Sequence, residues 1–203
     1  MGANAEGPKG RLEIPRIIPA LRAVSEGWVL PDLPGARWVF LLGGTLATVG
    51  EPVGQMQRRG WRVFVHVDML RGLTPDLEGL TFLSEFAAPD GIITTHSHTV
   101  LAARKVGLTT IQRLFLLDSL SITTGVAQAR SARPDAVEVL PGILPEAAHQ
   151  VVCALPCPVI AGGLLTDGAQ VDRMVAAGVA GVSTSTPRLW SHTVRPGRRE
   201  VVR

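Results

Sequence analysis

Four polar side chains stand within or directly after short apolar runs of this sequence, namely His66, Asp68, Arg113 and Glu138. An unpaired buried charge is costly, so such groups must pair with one another or meet a polar ligand. Carboxylates, an imidazole and a guanidinium can bind hydroxyl groups, move protons and stabilise negative charge. The four residues are therefore candidate site residues.

Two motifs rich in small residues indicate a second kind of chemistry. Residues 159–167 read VIAGGLLTD and residues 181–190 read GVSTSTPRLW. Glycine lets an anion approach the backbone closely, and hydroxyls and helix N-termini supply donors. We predict a phosphate site at Gly162, Gly163, Ser183 and Thr184. The alternative is that the glycines form only a tight turn and the hydroxyls only cap a helix.

The elements that position these residues are eight short β-branched or apolar runs. Segments with helical periodicity lie between them, such as residues 73–86, 98–106, 118–130 and 167–178. Strands that alternate with helices predict parallel strands joined by right-handed crossovers, hence an α/β protein. The predicted strands are residues 16–20, 38–42, 63–67, 91–94, 109–114, 136–140, 158–161 and 181–184.

Eight strands in 203 residues predict a TIM-type (β/α)8 barrel near the lower size limit of that fold. We expect a single compact domain over residues 1–203, with loose ends at about 1–12 and 194–203. The first predicted strand contains Pro19, although proline is poorly tolerated in a central strand. The alternative fold is an open doubly wound sheet, which binds ligands at a topological switch point.

Alternation along the strands predicts which side chains meet inside the barrel. His66, Asp68 and Glu138 should point inward, and the neighbouring valines at positions 63, 65, 67, 137 and 139 outward. Periodicity does not decide between Gln112 and Arg113. Asp68, Glu138 and Arg113 should neutralise one another. They form either a polar plug or a ligand site, and their position at strand carboxyl ends favours the site.

Composition and charge exclude several classes of protein. Hydrophobic residues make up 46% of the chain and charged residues 18%, which is typical of a globular protein. The net charge of +3 permits RNA or phosphate partners without requiring them. The N-terminal residues lack a continuous apolar region, and no later stretch is long enough to cross a bilayer. We expect a cytoplasmic protein with no membrane partner.

The two cysteines, Cys153 and Cys157, lie in the segment CALPC. A second pair of ligands is missing nearby, so this spacing does not predict a structural zinc site. Free cysteines are among the most buried residue types. We therefore expect two buried thiols and no metal.

Several motifs in order resemble the glycerol uptake operon antiterminator family, also called glycerol-3-phosphate responsive antiterminators. They are VFVHVDMLRGL, PDGIITT, GLTTIQRLFLLDS, PDAVEVLPGI, PVIAGGLLTD and GVSTSTPRLW. IQRLFLLDS and EVLPG are the most distinctive, and the resemblance runs from about Ile14 to Trp190. One departure is the His-rich segment 90–97 (DGIITTHS), which leaves the roles of His96 and His98 open.

The resemblance implies a single TIM-like barrel that binds glycerol 3-phosphate as an effector, without a cofactor. The ligand-bound protein would bind leader RNA of glycerol-utilisation genes and let transcription pass a terminator. The phosphate would lie at Gly162, Gly163, Ser183 and Thr184. The glycerol hydroxyls would meet the polar set at the mouth, namely Asp68, Arg113, Glu138 and His66.

The residues themselves give little support for RNA binding. The chain has no tyrosine and 4% aromatic residues, whereas unpaired bases usually stack on aromatic side chains. Predicted contacts are Arg195, Arg198 and Arg199 in the basic C-terminal segment, with further arginines at positions 58, 59, 62 and 71. The alternative is that these arginines form an ordinary solvated surface. The sequence neither indicates nor excludes a homo-oligomer.

The rival class is a TIM-barrel enzyme that acts on a small phosphorylated three-carbon substrate. Asp68 or Glu138 would be the general base, and Arg113 would stabilise developing negative charge. An enzyme turns over the bound phosphate ester, whereas a sensor binds it unchanged. Turnover therefore separates the two hypotheses.

Overall fold

The computed structural model describes residues 12–22 and 37–194 of the chain. Eight parallel strands close into a barrel in sequence order, and the last strand pairs with the first. The predicted TIM-type barrel is confirmed, and the open doubly wound alternative is wrong. The strands are β1 (Ile17–Arg22), β2 (Trp38–Leu42), β3 (Arg62–His66), β4 (Gly91–Thr94), β5 (Thr109–Phe115), β6 (Ala136–Leu140), β7 (Val159–Gly162) and β8 (Gly181–Thr184).

Six helices follow strands β2 to β7 in turn and surround the barrel. Two short 3-10 helices, Val67–Met69 and Pro187–Leu189, follow β3 and β8. A small pair of strands, Gly44–Thr45 and Leu70–Arg71, lies outside the barrel. The helices are α1 (Leu46–Arg58), α2 (Leu77–Phe86), α3 (Ser97–Lys105), α4 (Ser119–Ala132), α5 (Pro145–Ala154) and α6 (Gly168–Ala176).

Aspartate caps determine where three of these helices begin. The Asp76 side chain accepts from the Gly79 backbone N–H at 2.8 Å, so α2 starts later than the predicted residue 73. Asp118 forms a capping box with Ser121 at the start of α4. Asp167 does the same with Gln170 at α6. Such caps satisfy backbone donors that the first turn of a helix leaves free.

The hydrophobic core has an inner part inside the barrel and an outer part between strands and helices. The predicted outward valines at positions 63, 65, 67, 137 and 139 are confirmed, because they pack with buried helix residues in the outer core. The inner part is filled by Ile18, Ala20, Trp38, Phe40, Phe64, Ile93, Ile111, Ala136 and Ile160. The barrel is therefore filled over this depth, and space for a ligand remains only toward its ends.

Two strand boundaries differ from the predictions and change the position of site residues. β1 includes Pro19 and extends to Arg22, beyond the predicted end at residue 20. Arg22 therefore lies in phase with Ile18 and Ala20, which point into the barrel. β3 ends at His66, where its pairing with β4 stops, so Asp68 lies in the following 3-10 helix rather than on the strand.

The prediction of two buried thiols is wrong for Cys153. Its side chain is exposed and Cys157 is partly buried. Ala148 and Val151 form the buried face of α5, and Cys153 lies outside that face on the last turn. Burial raises the pKa of the Cys157 thiol.

Most of the predicted loose ends, residues 1–12 and 194–203, fall outside the described residues. Among the helices that the structure describes, none combines the length and the apolar character needed to cross a membrane.

Candidate ligand site

A buried ion pair between Arg113 and Glu138 lies inside the barrel. The two residues are register partners on β5 and β6. Arg113 Nε and Nη2 each donate to Glu138 Oε2 at 2.8 Å. Gln112 points the other way and donates from Nε2 to Ser97 Oγ at 3.0 Å. The structure thus resolves the open choice in β5 in favour of Arg113, and the pair leaves Glu138 Oε1 for another donor.

That donor is Ser183 Oγ on β8, which hydrogen bonds to Glu138 Oε1. Gly162 on β7 lies between the two residues, and it is the register partner of Ser183. A Cβ at position 162 would lie 2.5 Å from both Glu138 Oε1 and Ser183 Oγ. Position 162 therefore requires glycine, because any side chain there would collide with the Glu138 and Ser183 side chains. This reason differs from the close approach of an anion that the sequence motif predicted.

A cavity of about 620 Å³ opens above this contact, at the carboxyl ends of the strands. Residues 163–166 after β7 and 183–186 after β8 line one side of it. Five of the eight predicted ligand residues line this cavity, namely Arg113, Glu138, Gly163, Ser183 and Thr184. Gly162, His66 and Asp68 are not among the lining residues. Their predicted contacts with a ligand stay predictions.

The loops after β7 and β8 are tied to each other by side-chain hydrogen bonds. Thr186 Oγ1 donates to the Leu165 carbonyl at 3.0 Å. Arg188 Nε donates to the Thr166 carbonyl at 3.1 Å, and its Nη2 contacts the same oxygen. The two loops therefore form one connected wall of the cavity.

The hydroxyls in this wall differ in what they can offer a ligand. Ser183 Oγ gives its proton to Glu138, so it is not a free donor. Thr184 Oγ1 accepts from the Thr186 backbone N–H at 3.1 Å and keeps its own proton to donate. Gly163 adopts φ +79°, a left-handed conformation that favours glycine and turns the chain sharply after β7.

His66 is buried at the end of β3 with 3% of its surface exposed. Within the described residues its Nδ1 atom has no hydrogen-bond partner. Burial, and to a smaller extent the positive charge of Arg113, lower the pKa of His66 from 6.5 to about 4, although the nearby Asp68 carboxylate opposes this shift. The imidazole is therefore neutral at neutral pH.

Asp68 links the end of β3 to the end of β4 by hydrogen bonds, and it is not part of the Arg113–Glu138 ion pair. Its carboxylate accepts from Thr94 Oγ1 at 2.7 Å, from the Thr95 backbone N–H at 2.7 Å and from Thr95 Oγ1 at 2.8 Å. The expectation that Asp68, Glu138 and Arg113 neutralise one another is therefore wrong for Asp68. Partial burial raises the pKa of Asp68, but these hydrogen bonds and nearby His66 bring it below its usual value.

Arg22, Leu42 and Met69 are among the lining residues that sequence reasoning did not predict. Arg22 is the most informative of them because it is a cation at the carboxyl end of β1. Within the described residues it forms no ion pair, whereas Arg113 is held by Glu138. The alternation Ile18, Ala20, Arg22 would have predicted its inward position if the predicted strand had been two residues longer.

Other predicted residues lie elsewhere. The rings of His96 and His98 stack with centroids 5.3 Å apart at the start of α3, and both are exposed. Arg195, Arg198 and Arg199 lie outside the described residues. In the described ranges, no group of three or more His, Cys, Asp or Glu residues is arranged to hold a metal ion.

A closed barrel with a cavity at the strand carboxyl ends, lined by apolar side chains and a few charged and hydroxyl groups, defines this protein as a (β/α)8 barrel with a candidate small-molecule site. The model of the glycerol-3-phosphate responsive antiterminator family matches residues 17–190. The chain belongs to that family, as the sequence motifs predicted.

Two solved structures agree with this assignment, and a curated protein is also similar to this chain. The glycerol uptake operon antiterminator regulatory protein of Listeria monocytogenes is 33% identical, covers 89% of this chain and 100% of its own, and has a TM-score of 0.79. A glycerol uptake operon antiterminator-related protein of Thermotoga maritima is 30% identical. The match covers 87% of this chain and 98% of that protein, with a TM-score of 0.75. The uncharacterized protein YgcP of Escherichia coli is 33% identical over 76% of this chain and 81% of its own.

Proposed function

We propose that this protein is a glycerol 3-phosphate sensor that binds leader RNA of glycerol-utilisation genes and prevents transcription termination when the ligand is bound. The observation that carries the proposal is the cavity of about 620 Å³ above the Arg113–Glu138 pair, in a chain of the glycerol-3-phosphate responsive antiterminator family. Its volume falls within the usual range for small-molecule sites, about 300–1,000 Å³.

The phosphate group would lie against the wall formed by the β7 and β8 loops. Backbone N–H groups of Gly163 and Ser183, together with the Thr184 hydroxyl, are its proposed donors, and Gly162 lies beneath them at the contact between Glu138 and Ser183. Loops after these two strands commonly bind phosphate in such barrels. Arg22 supplies a positive charge that Glu138 does not neutralise. A dianion would therefore meet both donors and a cation in this half of the cavity.

The glycerol hydroxyls would contact the Arg113–Glu138 pair at the base of the cavity. Both members are buried and fixed by hydrogen bonds, so they present oriented polar atoms rather than mobile charges. His66 and Asp68 are proposed to assist from the β3 side, where His66 is neutral and can donate or accept a hydrogen bond. Hydroxyl recognition by fixed groups of this kind discriminates strongly against analogues that lack the hydroxyl.

Ligand binding would change RNA affinity through a difference in ligand affinity between two states of the protein. Coupling of this kind is typically about 1–3 kcal/mol, or roughly 5- to 150-fold in affinity. The direct test measures binding of the purified protein to the leader RNA of its own glycerol genes at fixed salt, with and without glycerol 3-phosphate. Salt must be constant because phosphate contacts make RNA affinity depend on it.

We expect the ligand to tighten RNA binding at least about fivefold, and glycerol or inorganic phosphate alone to have a much smaller effect. Calorimetric titration of the protein with glycerol 3-phosphate gives the ligand affinity independently of RNA. Equal RNA affinity with and without a ligand that demonstrably binds would contradict the proposed regulation.

The enzyme hypothesis has less support from the described residues. Glu138 could act as a base only after losing its contacts with Arg113 and Ser183. Schiff-base chemistry needs a lysine near the substrate, and none of the residues that line the cavity is a lysine. Lys105 lies at the far end of α3. Conversion of glycerol 3-phosphate during prolonged incubation with the purified protein would restore the enzyme hypothesis.

A further inference from the structure

A second charged surface lies at the end of the barrel opposite the cavity, where the strands begin and the helices end. Ten of the 14 Lys and Arg residues in the described ranges lie there, in last helical turns or just before strands. The acidic residues in the same segments are Glu13, Glu85, Asp90 and Asp135. This end of the molecule therefore carries an excess of positive charge.

Three of these arginines have a structural role. Arg16 Nη1 donates to the Ala180 carbonyl at 3.1 Å. Arg104 Nη1 donates to the Arg133 carbonyl at 2.8 Å, and Arg130 Nη2 donates to the Ala154 carbonyl at 2.8 Å. They satisfy carbonyls at the ends of neighbouring elements, so they are poor candidates for binding a partner.

Two of the four acidic residues at this end hold backbone segments in place. Asp90 Oδ2 accepts from the Val63 backbone N–H at 2.8 Å, and Asp135 Oδ2 accepts from that of Thr110 at 2.8 Å. Asp90 also faces Arg62 Nε at 3.7 Å. Within the described residues, Arg58, Arg59, Lys105 and Arg133 form no ion pair, although all four are exposed. Their charges are available to an external anion.

Two of the arginines at this end lie over tryptophan rings. The Arg59 guanidinium is 5.7 Å from the centroid of the Trp61 ring, and that of Arg62 is 5.2 Å from the Trp38 ring. A guanidinium held against a ring keeps its planar face available for stacking. Unpaired RNA bases stack on arginine planes as well as on aromatic rings, which compensates for the few exposed aromatics in this chain.

We propose that the part of this end where α1, α3 and α4 finish is the surface that contacts RNA, and we define the basic face as Arg37, Arg58, Arg59, Arg62, Lys105 and Arg133. Arg173 lies at the same end of the barrel but on α6, outside this face. The inference rests on the proposed function, because RNA is the polyanion that an antiterminator must meet. It differs from the predicted contacts at Arg195, Arg198 and Arg199, since it places RNA at the far end of the barrel from the effector cavity.

The alternative explanation is that basic residues simply stabilise helix C-termini through the helix dipole. That explanation predicts a basic last turn on every helix, yet α2 and α5 have none. It also does not explain Arg37, which precedes β2, or Arg62, which begins β3, because neither residue is at the end of a helix. Positive charge is concentrated instead where α1, α3 and α4 end.

The test measures binding of the leader RNA to the full chain at saturating glycerol 3-phosphate over a series of salt concentrations. The variants are Arg58→Gln, Arg59→Gln, the double variant and Lys105→Gln. Arg173→Gln is the matched control, because Arg173 is exposed in the last turn of α6, outside the basic face. Calorimetric titration with glycerol 3-phosphate and thermal unfolding show whether each variant is intact.

We expect the double variant to bind RNA at least about tenfold more weakly. The slope of the logarithm of RNA affinity against the logarithm of salt concentration should become shallower by about 1.4, which corresponds to two lost phosphate contacts on a single strand. Each single variant should show about half of this change in slope, whereas Arg173→Gln should stay within twofold of the natural protein. Glycerol 3-phosphate affinity should stay within twofold in every variant, because the cavity is at the other end.

If the natural protein shows ligand-dependent RNA binding and the basic-face variants match Arg173→Gln, the basic face is wrong and the proposed function stands. If the natural protein binds no RNA in either ligand state, both proposals fall. If RNA affinity is intact but the variants lose antitermination with purified polymerase, the face contacts a protein and the RNA assignment is overturned.

Discussion

Arg113 and Glu138 are register partners on adjacent strands, and the guanidinium directs two donors at the same carboxylate oxygen. The second oxygen accepts from Ser183 on a third strand. The pair therefore connects three strands at the base of the cavity, and it is the part of the candidate site most closely linked to the stability of the barrel.

Removal of one member of this pair should destabilise the protein strongly. Glu138→Ala leaves a buried guanidinium without a partner, so we expect the free energy of unfolding to fall by about 3–5 kcal/mol. Chemical denaturation measures this change. Glu51→Ala is the control, since Glu51 is exposed on α1 and should cost less than about 1 kcal/mol. The combined change Arg113→Met and Glu138→Leu should recover much of the loss. A loss near 1 kcal/mol for Glu138→Ala would show that the pair contributes little.

Gly162→Ala should disrupt the contact between Glu138 and Ser183, because the new methyl would lie 2.5 Å from an oxygen of each. We expect a loss of about 1–3 kcal/mol of stability from overpacking and at least about tenfold weaker binding of glycerol 3-phosphate, roughly 1.4 kcal/mol. Gly50→Ala on α1 is the control, because its Cβ would make ordinary contact with Phe86 at 3.4 Å. Unchanged ligand affinity in Gly162→Ala would separate this position from the ligand site.

Arg22→Gln should weaken ligand binding without unfolding the protein, because Arg22 is exposed and lines the cavity. We expect the affinity for glycerol 3-phosphate to fall by about tenfold or more and the affinity for glycerol to change little, since hydrogen bonds to charged groups contribute about 1.5–3 kcal/mol. Calorimetric titration with each compound checks this. An equal loss for both compounds would indicate that Arg22 shapes the cavity rather than binds phosphate.

His66 makes stability depend on pH in a defined direction. Its pKa in the folded protein is about 4, below the ordinary value of 6.5, so the unfolded chain binds the proton more readily. The stabilisation is fully present above pH 6.5 and is lost as pH falls toward 4, on the order of 3 kcal/mol at most. Asp68 acts in the same direction at lower pH, because its folded pKa is also depressed.

His66→Gln should therefore flatten the fall in the free energy of unfolding between pH 6.5 and 4. Denaturant unfolding at several pH values measures the slope. The control His98→Gln changes an exposed histidine on α3 and should retain the slope of the natural protein. Parallel curves for His66→Gln and the natural protein would rule out the assigned role of His66.

Arg188→Gln should loosen the wall of the cavity, because it removes the contacts from the guanidinium to the Thr166 carbonyl. Hydrogen exchange of the amides in residues 163–167 should become faster, while exchange in β4 and β5 stays unchanged. Ligand affinity should fall as well, since a looser wall must be ordered on binding. The same exchange pattern as in the natural protein would show that Thr186 alone suffices to tie the loops.

The barrel and much of the site could be predicted because β-strand alternation is a local property of the sequence. Glu138 lies between two outward valines in a single short strand, so its inward position follows from the pattern alone. Gln112 and Arg113 are adjacent polar residues, and only the pairing of β5 with β6 decides between them.

Other features depend on where elements end, which local patterns specify poorly. Pairing of β3 with β4 stops at His66, and this places Asp68 in a turn where threonines bind it. Arg22 was missed because β1 runs two residues beyond its predicted end. Cys153 is exposed because of which face of α5 packs on the barrel.

The separation of the cavity from the basic face has a consequence for how fast the protein can respond. If RNA binds the basic face, as we propose, the cavity at the other end of the barrel stays open to solvent. Glycerol 3-phosphate can then enter and leave while the protein is still on the transcript. The protein would thus follow the current metabolite concentration during each round of transcription, without first being released and captured again.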